Sequence, residues 1–156
     1  GFSRRVIWLI LDPSLLDIQV NLGPYKGAPG LLLKQAIHQT LIEDGRTGAF
    51  SITLLGDQEM GELNARYLGR NAPTDVLAFS MGTTELPLGD VYVCLDQASR
   101  QAKEHEIPLA EELVRLVVHG VLHVLGHDHP EDSDRFASPM FKLQERLVRQ
   151  VFKHPE

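Results

Sequence analysis

The sequence predicts an α/β (α+β) fold in which a small, mainly mixed sheet of about four strands packs with four to five helices. Three observations support this fold class. Short segments of alternating apolar and polar residues recur in the first two thirds of the chain, longer segments of helical periodicity lie between and after them, and histidines interrupt the most apolar helix. The length of 156 residues, with 43% hydrophobic and 23% charged residues, suits one globular domain over residues 1–156.

The first half of the chain predicts two strands and two helices. Residues 18–22 alternate apolar with polar side chains, as in a strand, and the loop GPYKGAPG separates them from a helix over residues 31–43. Residues 50–54 alternate in the same way and predict the second strand. Asp57 is the predicted N-cap of the helix that follows, and Gly69 ends that helix.

The second half predicts two more strands and three helices. The segments PTDVLAFSM and GDVYVCLD each place apolar side chains at every second position, with Val91 and Val93 on one face of their strand. A helix is expected over about residues 96–106. The last helix is predicted to have Ser138 as its N-cap and shows apolar residues at helical spacing over residues 140–151.

A helix over about residues 109–125 carries most of the histidine motif HGVLHVLGHDH. Its second half is apolar around most of its circumference, so this metal-binding helix is predicted to be buried. His119 and His123 lie four residues apart and therefore project from one face, while Gly126 ends the helix and lets His129 return toward them. Three imidazoles without a thiolate predict one zinc ion with an open fourth position, as in catalytic sites.

Other interpretations of the histidines stay open at this point. The three residues are alternatively hydrogen-bonded core histidines or a surface cluster, although unsatisfied polar groups in an apolar helix cost a few kcal/mol. His127 is an alternative to His129 or a fourth ligand. Asp128 is a candidate to orient a ligand imidazole or to accept a proton, and equally a solvated turn residue. The remaining histidines are predicted to lie at the surface: His38, His105 and His154.

Gly120 occupies the position at which a metalloprotease of this spacing carries its general-base glutamate. Peptide hydrolysis is therefore disfavoured, although Asp128 or a distant glutamate is an alternative base. Phosphodiester cleavage makes other demands, namely a Lewis acid and cations for the phosphate. Arg66 and Arg70, around a glycine turn, are the candidate phosphate-binding residues because arginine forks match phosphate. Further cations lie on later helices, and each is also interpretable as a solvated charge: Arg100, Lys103 and Arg115.

Charge and cysteine content narrow the functional classes. A formal net charge of -6 argues against a generally basic nucleic-acid-binding protein, so a contact with RNA must use a local patch. Cys94 is the sole cysteine, which excludes an intramolecular disulfide and a cysteine-rich zinc knuckle and fits the cytoplasm. The apolar run in RRVIWLILDP is too short for a signal peptide or a membrane span, and is expected to belong to the fold or to a loosely ordered lead-in.

Three separated motifs together resemble the YbeY family of rRNA maturation factors. LNARYLGRNAPTDVLAFS, GDVYVCLD and HGVLHVLGHDH occur in this order between about Phe50 and Asp132. The resemblance implies a zinc-dependent endoribonuclease specific for single-stranded RNA, with metal ligands matching His119, His123 and His129. It further implies a role in 3′-end maturation of 16S rRNA and in ribosome quality control, with rRNA, the ribosome and ribosomal proteins as partners in the cytoplasm and no membrane association.

Two positions depart from the family's pattern. Many members carry an arginine directly before the glycine where this chain has Leu68, so the phosphate-binding role is expected to fall to Arg70 or Arg66. An aromatic residue commonly precedes the aspartate of the last motif, where this chain has His127. The alternative functions are a metalloprotease-like hydrolase and a ribosome-assembly factor that uses its metal structurally and cleaves nothing.

Overall fold

The computed structural model describes residues 17–69, 74–130 and 132–153. Four strands lie in these ranges: β1 (Ile18–Asn21), β2 (Ala49–Leu55), β3 (Val76–Ser80) and β4 (Leu88–Cys94). The same ranges contain a 3-10 helix (Ser133–Ala137) and five α-helices: α1 (Gly30–Asp44), α2 (Asp57–Leu68), α3 (Leu95–Glu104), α4 (Leu109–Val124) and α5 (Pro139–Lys153). The expectations for RRVIWLILDP and for His154 concern residues outside the described ranges.

The strands form one mixed sheet in the order β1-β2-β4-β3. Strands β1, β2 and β4 run parallel, and β3 pairs antiparallel with β4 at the edge of the sheet. The ladder between β2 and β4 runs from Ala49 opposite Leu88 to Leu55 opposite Cys94. The predicted α/β fold with a mixed four-stranded sheet is therefore confirmed.

Alternation along the strands gives the sheet two apolar faces. Val91 and Val93 belong to the main core, which also contains residues of α1, α4 and α5. Leu77 and Cys94 belong to a smaller cluster, which they form with Met60 of α2. Because β4 lies inside the sheet, its side chains need apolar partners on both faces, and the continuous run VYVC meets that need.

Helix α4 lies at the centre of the packing. It contacts β3 and β4 as well as α1, α3 and α5, and ten of its 16 residues are buried. The helix that carries the histidine motif is therefore buried, as predicted. Each fully buried leucine or valine stabilises the fold by about 1.5–3 kcal/mol, so the backbone that carries His119 and His123 is held firmly. No helix in the described part of the chain is both long and apolar enough to cross a membrane.

His38 is buried, with 3% of its surface exposed, and its prediction as a surface residue is wrong. Helix α1 contacts β1, α4 and α5, so polar residues on several of its sides are buried, among them Gln35 and Thr40. The polar neighbours that indicated a surface position are thus themselves inside the packed region. His105 is exposed, as predicted.

The two predicted helix caps have different outcomes. The prediction of Asp57 as the N-cap is wrong, because Gly56 is the N-cap and Asp57 is the first residue of α2. The backbone N–H of Asp57 donates to the carboxylate of Asp96 at 2.9 Å. The carboxylate of Asp57 instead accepts hydrogen bonds of 2.7 and 2.9 Å from Arg100. The capping group of α2 therefore comes from α3, which the local sequence does not reveal. Ser138 is the N-cap of α5, as predicted, and its Oγ accepts a hydrogen bond from the N–H of Phe141 at 3.2 Å.

Candidate metal centre

Three histidine side chains converge beside the C-terminal half of α4. His119 and His123 project from consecutive turns of that helix, and His129 follows Gly126, whose φ of 98° is a conformation that glycine adopts readily. The Nε2 atoms of His119 and His123 are 3.1 Å apart. The candidate ligand atoms of all three histidines lie within 4.8 Å of one another. The structure thus brings the three predicted ligands together.

Gln144 of α5 fixes the tautomer of His119. The Nε2 of Gln144 donates to the carboxylate of Glu145 at 3.1 Å, so its Oε1 faces the Nδ1 of His119 at 2.7 Å. An amide oxygen only accepts, so the Nδ1 of His119 carries the proton and its Nε2 presents a lone pair to the cluster. Gln144 is 5% exposed, and water therefore competes little for this hydrogen bond.

A backbone carbonyl has the same effect on His129. The Nδ1 of His129 lies 2.8 Å from the carbonyl oxygen of Pro130, which accepts a hydrogen bond from Nδ1–H and leaves Nε2 available as a ligand. Asp128 accepts a hydrogen bond from the backbone N–H of His129 at 2.8 Å, and its side chain is exposed. This hydrogen bond fixes the backbone of the loop and does not orient the imidazole ring of His129. The catalytic role of Asp128 stays a prediction.

Burial keeps the two helical histidines neutral. Desolvation lowers the pKa of His119, although the hydrogen bond to Gln144 opposes the shift. Desolvation, together with the smaller effects of the neighbouring His119 and His129, lowers the pKa of His123 to about 4. At pH 7 both imidazoles are therefore in the deprotonated form that binds a metal.

The donor set fits a divalent metal ion in tetrahedral coordination. Metal–nitrogen bonds of about 2.0–2.1 Å in such a site separate the ligand nitrogens by about 3.3 Å. The observed separation of 3.1 Å between the Nε2 atoms of His119 and His123 is close to that value. Among the described residues, His119, His123 and His129 are the group that could hold a metal, and three protein ligands leave one coordination position open.

His127 does not join this cluster. Its Nε2 lies 3.3 Å from the carboxylate of Asp44, at the end of α1, and Asp44 also pairs with Arg46. Arg46 in turn donates to the carbonyl oxygen of Leu125 at 2.7 Å, just beyond the last turn of α4. These bonds hold the ligand-bearing loop against the end of α1, so His127 positions the loop instead of serving as a fourth ligand.

The histidine cluster opens into a cavity of about 690 Å³, which is lined by residues of α4, β3, α5 and the 3-10 helix. Of the two predicted phosphate-binding arginines, Arg66 belongs to the described residues, and it does not line this cavity. Arg66 is exposed in the last turn of α2, and Arg70 lies outside the described residues. Their phosphate-binding role therefore stays a prediction.

Arg115 lines the cavity, but carboxylates occupy its guanidinium. It binds Glu111 and Glu112 at 3.0 Å and Glu145 through two hydrogen bonds of 2.9 and 3.0 Å. Burial raises the pKa of Glu145, but the hydrogen bonds from Arg115 and Gln144 outweigh burial and hold that pKa below its ordinary value. With three carboxylates around one cation, Arg115 stabilises the contact between α4 and α5 and is not available to phosphate.

We expect Arg115→Met to lower the free energy of unfolding by about 2–3 kcal/mol at pH 7, because it leaves the buried Glu112 and the half-buried Glu145 without their cation. Glu145 has a lowered pKa in the folded state, so its pairing stabilises the protein above the unfolded pKa of about 4.3 and ceases to do so as pH falls through the folded value. The difference between variant and wild type should therefore shrink below about pH 4. Urea denaturation at pH 7.5 and at about pH 3 measures this difference in the free energy of unfolding.

Arg146→Met is the matched control for this prediction. Arg146 pairs with Glu43 through side chains that are 47% and 36% exposed, and such a pair contributes about 0–1 kcal/mol. Equal effects of the two arginine substitutions at pH 7.5, or an Arg115→Met effect that does not change with pH, would contradict the structural role assigned to Arg115.

Gln144, which orients His119, was not among the site residues predicted from sequence. We expect Gln144→Leu to weaken metal affinity by about 10- to 100-fold, because the substitution preserves volume but removes the acceptor that orients His119. Competition with a chromophoric zinc chelator measures the affinity, and Gln150→Leu on the same helix is the control. The prediction fails if Gln144→Leu and Gln150→Leu bind zinc equally well.

The sequence contains an indication of this role, because Gln144 is a polar residue on the apolar face formed by Met140, Leu147 and Val151.

Gly120 faces the sheet and has no room for a side chain. A Cβ atom at this position would lie 2.8 Å from Cγ1 of Val91 and 3.3 Å from Cγ2 of Val76. Side chains of valine are stiff, so neither neighbour can move away cheaply. The close approach of α4 to β4 therefore leaves no room for a glutamate at position 120. The site consequently lacks the general base that a metalloprotease of this spacing uses.

The fold and the site together define an α/β protein with a three-histidine cluster at an open cavity, and a metal ion could bind this cluster as in metal-dependent hydrolases. Residues 30–151 match the sequence profile of the family described as endoribonuclease YbeY. The chain belongs to the YbeY family, which confirms the resemblance found in the three motifs.

Individual relatives agree with this membership. The chain is 36% identical to endoribonuclease YbeY of Syntrophus aciditrophicus, and the alignment covers 99% of the chain and 96% of that relative. It is 42% identical to endoribonuclease YbeY of Carboxydothermus hydrogenoformans over 66% of the chain and 73% of the relative. A Thermotoga maritima protein solved in solution superimposes with a TM-score of 0.64 at 29% identity, over 87% of this chain and 89% of that one.

Proposed function

We propose that this protein is a zinc-dependent endoribonuclease that cleaves single-stranded RNA. One observation carries the proposal: three imidazoles, of which burial keeps His119 and His123 neutral, converge at the wall of a cavity, and the group leaves a coordination position open. Membership in a family described as endoribonucleases supports RNA as the substrate. When bound, the metal supplies a Lewis acid that stabilises negative charge on a phosphate oxygen.

The side chains around the cluster support this function in separate ways. Gln144 and the carbonyl of Pro130 keep two imidazoles in the tautomer that leaves Nε2 unprotonated. Arg66 and Arg70 are proposed to bind the RNA backbone, as the sequence predicts, and Asp128 is proposed to accept a proton from its exposed position beside His129. The cavity of about 690 Å³ has the size of a small-ligand site, which suits an unpaired nucleotide better than a duplex.

The proposed biological role is 3′-end maturation of 16S rRNA and ribosome quality control in the cytoplasm, with rRNA, the ribosome and ribosomal proteins as partners. This role is the one that the family resemblance implies. It also accommodates the net charge of -6, because a ribosomal protein that binds the chain can supply cations that the chain lacks overall.

Metal removal and restoration test the proposed activity. The purified protein, its chelated form and the chelated form with zinc restored are each offered single-stranded RNA, duplex RNA and a denatured protein. We expect cleavage of single-stranded RNA that disappears with chelation and returns with zinc, with no cleavage of the denatured protein. Cleavage of protein but not of RNA would establish the metalloprotease alternative. Unfolding on chelation without cleavage of any substrate would establish a structural metal.

A further inference from the structure

An exposed aromatic side chain lines the same cavity as the three histidines. Phe136, in the 3-10 helix, is 54% exposed. The guanidinium of Arg135 lies over its ring, 4.8 Å from the centroid, and Phe141 meets the ring edge to face at a centroid distance of 5.3 Å. Arg135 and Phe141 also line the cavity. A ring this exposed gains little from burial in the core, and its face is accessible to a ligand in the cavity.

Hydrogen bonds at both ends of the 3-10 helix fix the position of this ring. The side chain of Asp132 accepts a hydrogen bond from the N–H of Asp134 at 2.9 Å, and the Oγ of Ser138 donates to the carbonyl oxygen of Arg135 at 2.6 Å. Ser138 is also the N-cap of α5. The ring of Phe136 is therefore presented by a short, capped segment, which lowers the entropy lost when a ligand binds.

Arg135 provides a cation at this wall of the cavity. In the part of the chain that the structure describes, no carboxylate forms a salt bridge with Arg135, whereas Arg115 binds three carboxylates and Arg100 binds Asp57. A cation next to an aromatic ring, open to the metal cavity, is the combination that proteins use to bind single-stranded nucleic acids.

We propose that Phe136, Arg135 and Phe141 form a nucleobase-binding site in which an unpaired base close to the scissile phosphate stacks on Phe136, while Arg135 attracts the neighbouring phosphate. This inference rests on the proposed endoribonuclease function and adds the group that recognises the bases. Every base has an aromatic face, so the site tolerates any sequence. A base inside a duplex has no free face, and the site therefore gives a physical reason for selecting single strands.

Two ligands separate recognition of bases from recognition of the backbone. One is a ten-nucleotide single strand with a 2′-O-methyl backbone, and the other is the same backbone without bases. For the zinc-loaded full chain, fluorescence anisotropy is expected to show about tenfold tighter binding of the strand that carries bases. Phe136→Ala should remove this preference and leave affinity for the baseless strand unchanged within about twofold, whereas Phe136→Trp, which keeps an aromatic face, should retain the preference.

Phe152→Ala is the matched control, because Phe152 is a 38% exposed phenylalanine of α5 that does not line the cavity. It should bind both strands as wild type does. The inference is overturned if Phe136→Ala keeps the preference for bases, or if it weakens binding of both strands equally. In either case wild-type cleavage of RNA shows that the proposed function survives. If the wild type neither binds nor cleaves RNA and Phe136 instead supports binding of a denatured protein, both proposals fail together.

Discussion

Replacing His123 with alanine is expected to abolish stoichiometric metal binding and to lower the rate of RNA cleavage by about 100-fold or more. The substitution removes one of the three proposed ligands. The Nε2 of His123 lies 3.1 Å from that of His119. Each tenfold loss of rate corresponds to about 1.4 kcal/mol of transition-state stabilisation, and a Lewis acid supplies several kcal/mol. Elemental analysis of the purified protein gives the metal content, and single-turnover cleavage of a labelled single strand gives the rate.

His105→Ala is the control for this substitution, because His105 is an exposed histidine that follows α3 and does not line the cavity. It should retain one metal per chain and the wild-type rate. In the presence of a chelator, wild type and His123→Ala should unfold at similar urea concentrations, which separates loss of the metal from loss of the fold. A His123→Ala protein that keeps one metal per chain, or that loses its metal yet cleaves RNA at the wild-type rate, would contradict the assignment of this residue.

The convergence of His119, His123 and His129 could be predicted from sequence because their arrangement is local. Helical spacing places His119 and His123 on one face, and a glycine turn returns His129 to them within six residues. The groups that orient these ligands are of two kinds. Pro130 directly follows His129, but it acts through its backbone carbonyl, and a sequence motif does not identify backbone contacts. Gln144 lies 25 residues from His119 and reaches it only because α5 packs on α4.

The availability of the arginines could not be predicted from sequence, because their partners are distant along the chain. Arg115 meets Glu145 across 30 residues, and Arg100 meets Asp57 across 43. Local sequence presents both arginines as free helix cations, whereas the fold neutralises them with carboxylates from other helices. Arg135 lies in a 3-10 helix that the sequence pattern did not predict. Of the two described arginines that line the cavity, Arg115 and Arg135, the one without a salt bridge to a described carboxylate is Arg135, and it was not among the predicted candidates.

Gly120→Glu is expected to destabilise the fold by more than about 3 kcal/mol and to confer no peptidase activity. Any side chain at this position meets Val91 at 2.8 Å, and overpacking of this kind costs about 1–3 kcal/mol. Glycine is itself unfavourable in a helix by about 0.5–1 kcal/mol, so Gly120→Ala should show a smaller net loss of stability. A glutamate adds the burial of a carboxylate against the sheet, which costs several kcal/mol more unless the helix moves away from β4.

Gly61 of α2 provides the comparison that makes this prediction decisive. A Cβ atom at Gly61 meets no other atom within 4 Å, so Gly61→Ala should raise the free energy of unfolding by about 0.5–1 kcal/mol, and Gly61→Glu should be tolerated. Opposite signs for alanine at the two positions would show that packing, and not helix propensity, requires Gly120. If Gly120→Glu were as stable as wild type and cleaved a denatured protein in a zinc-dependent way, the close contact of α4 with β4 would not be what separates this site from a metalloprotease.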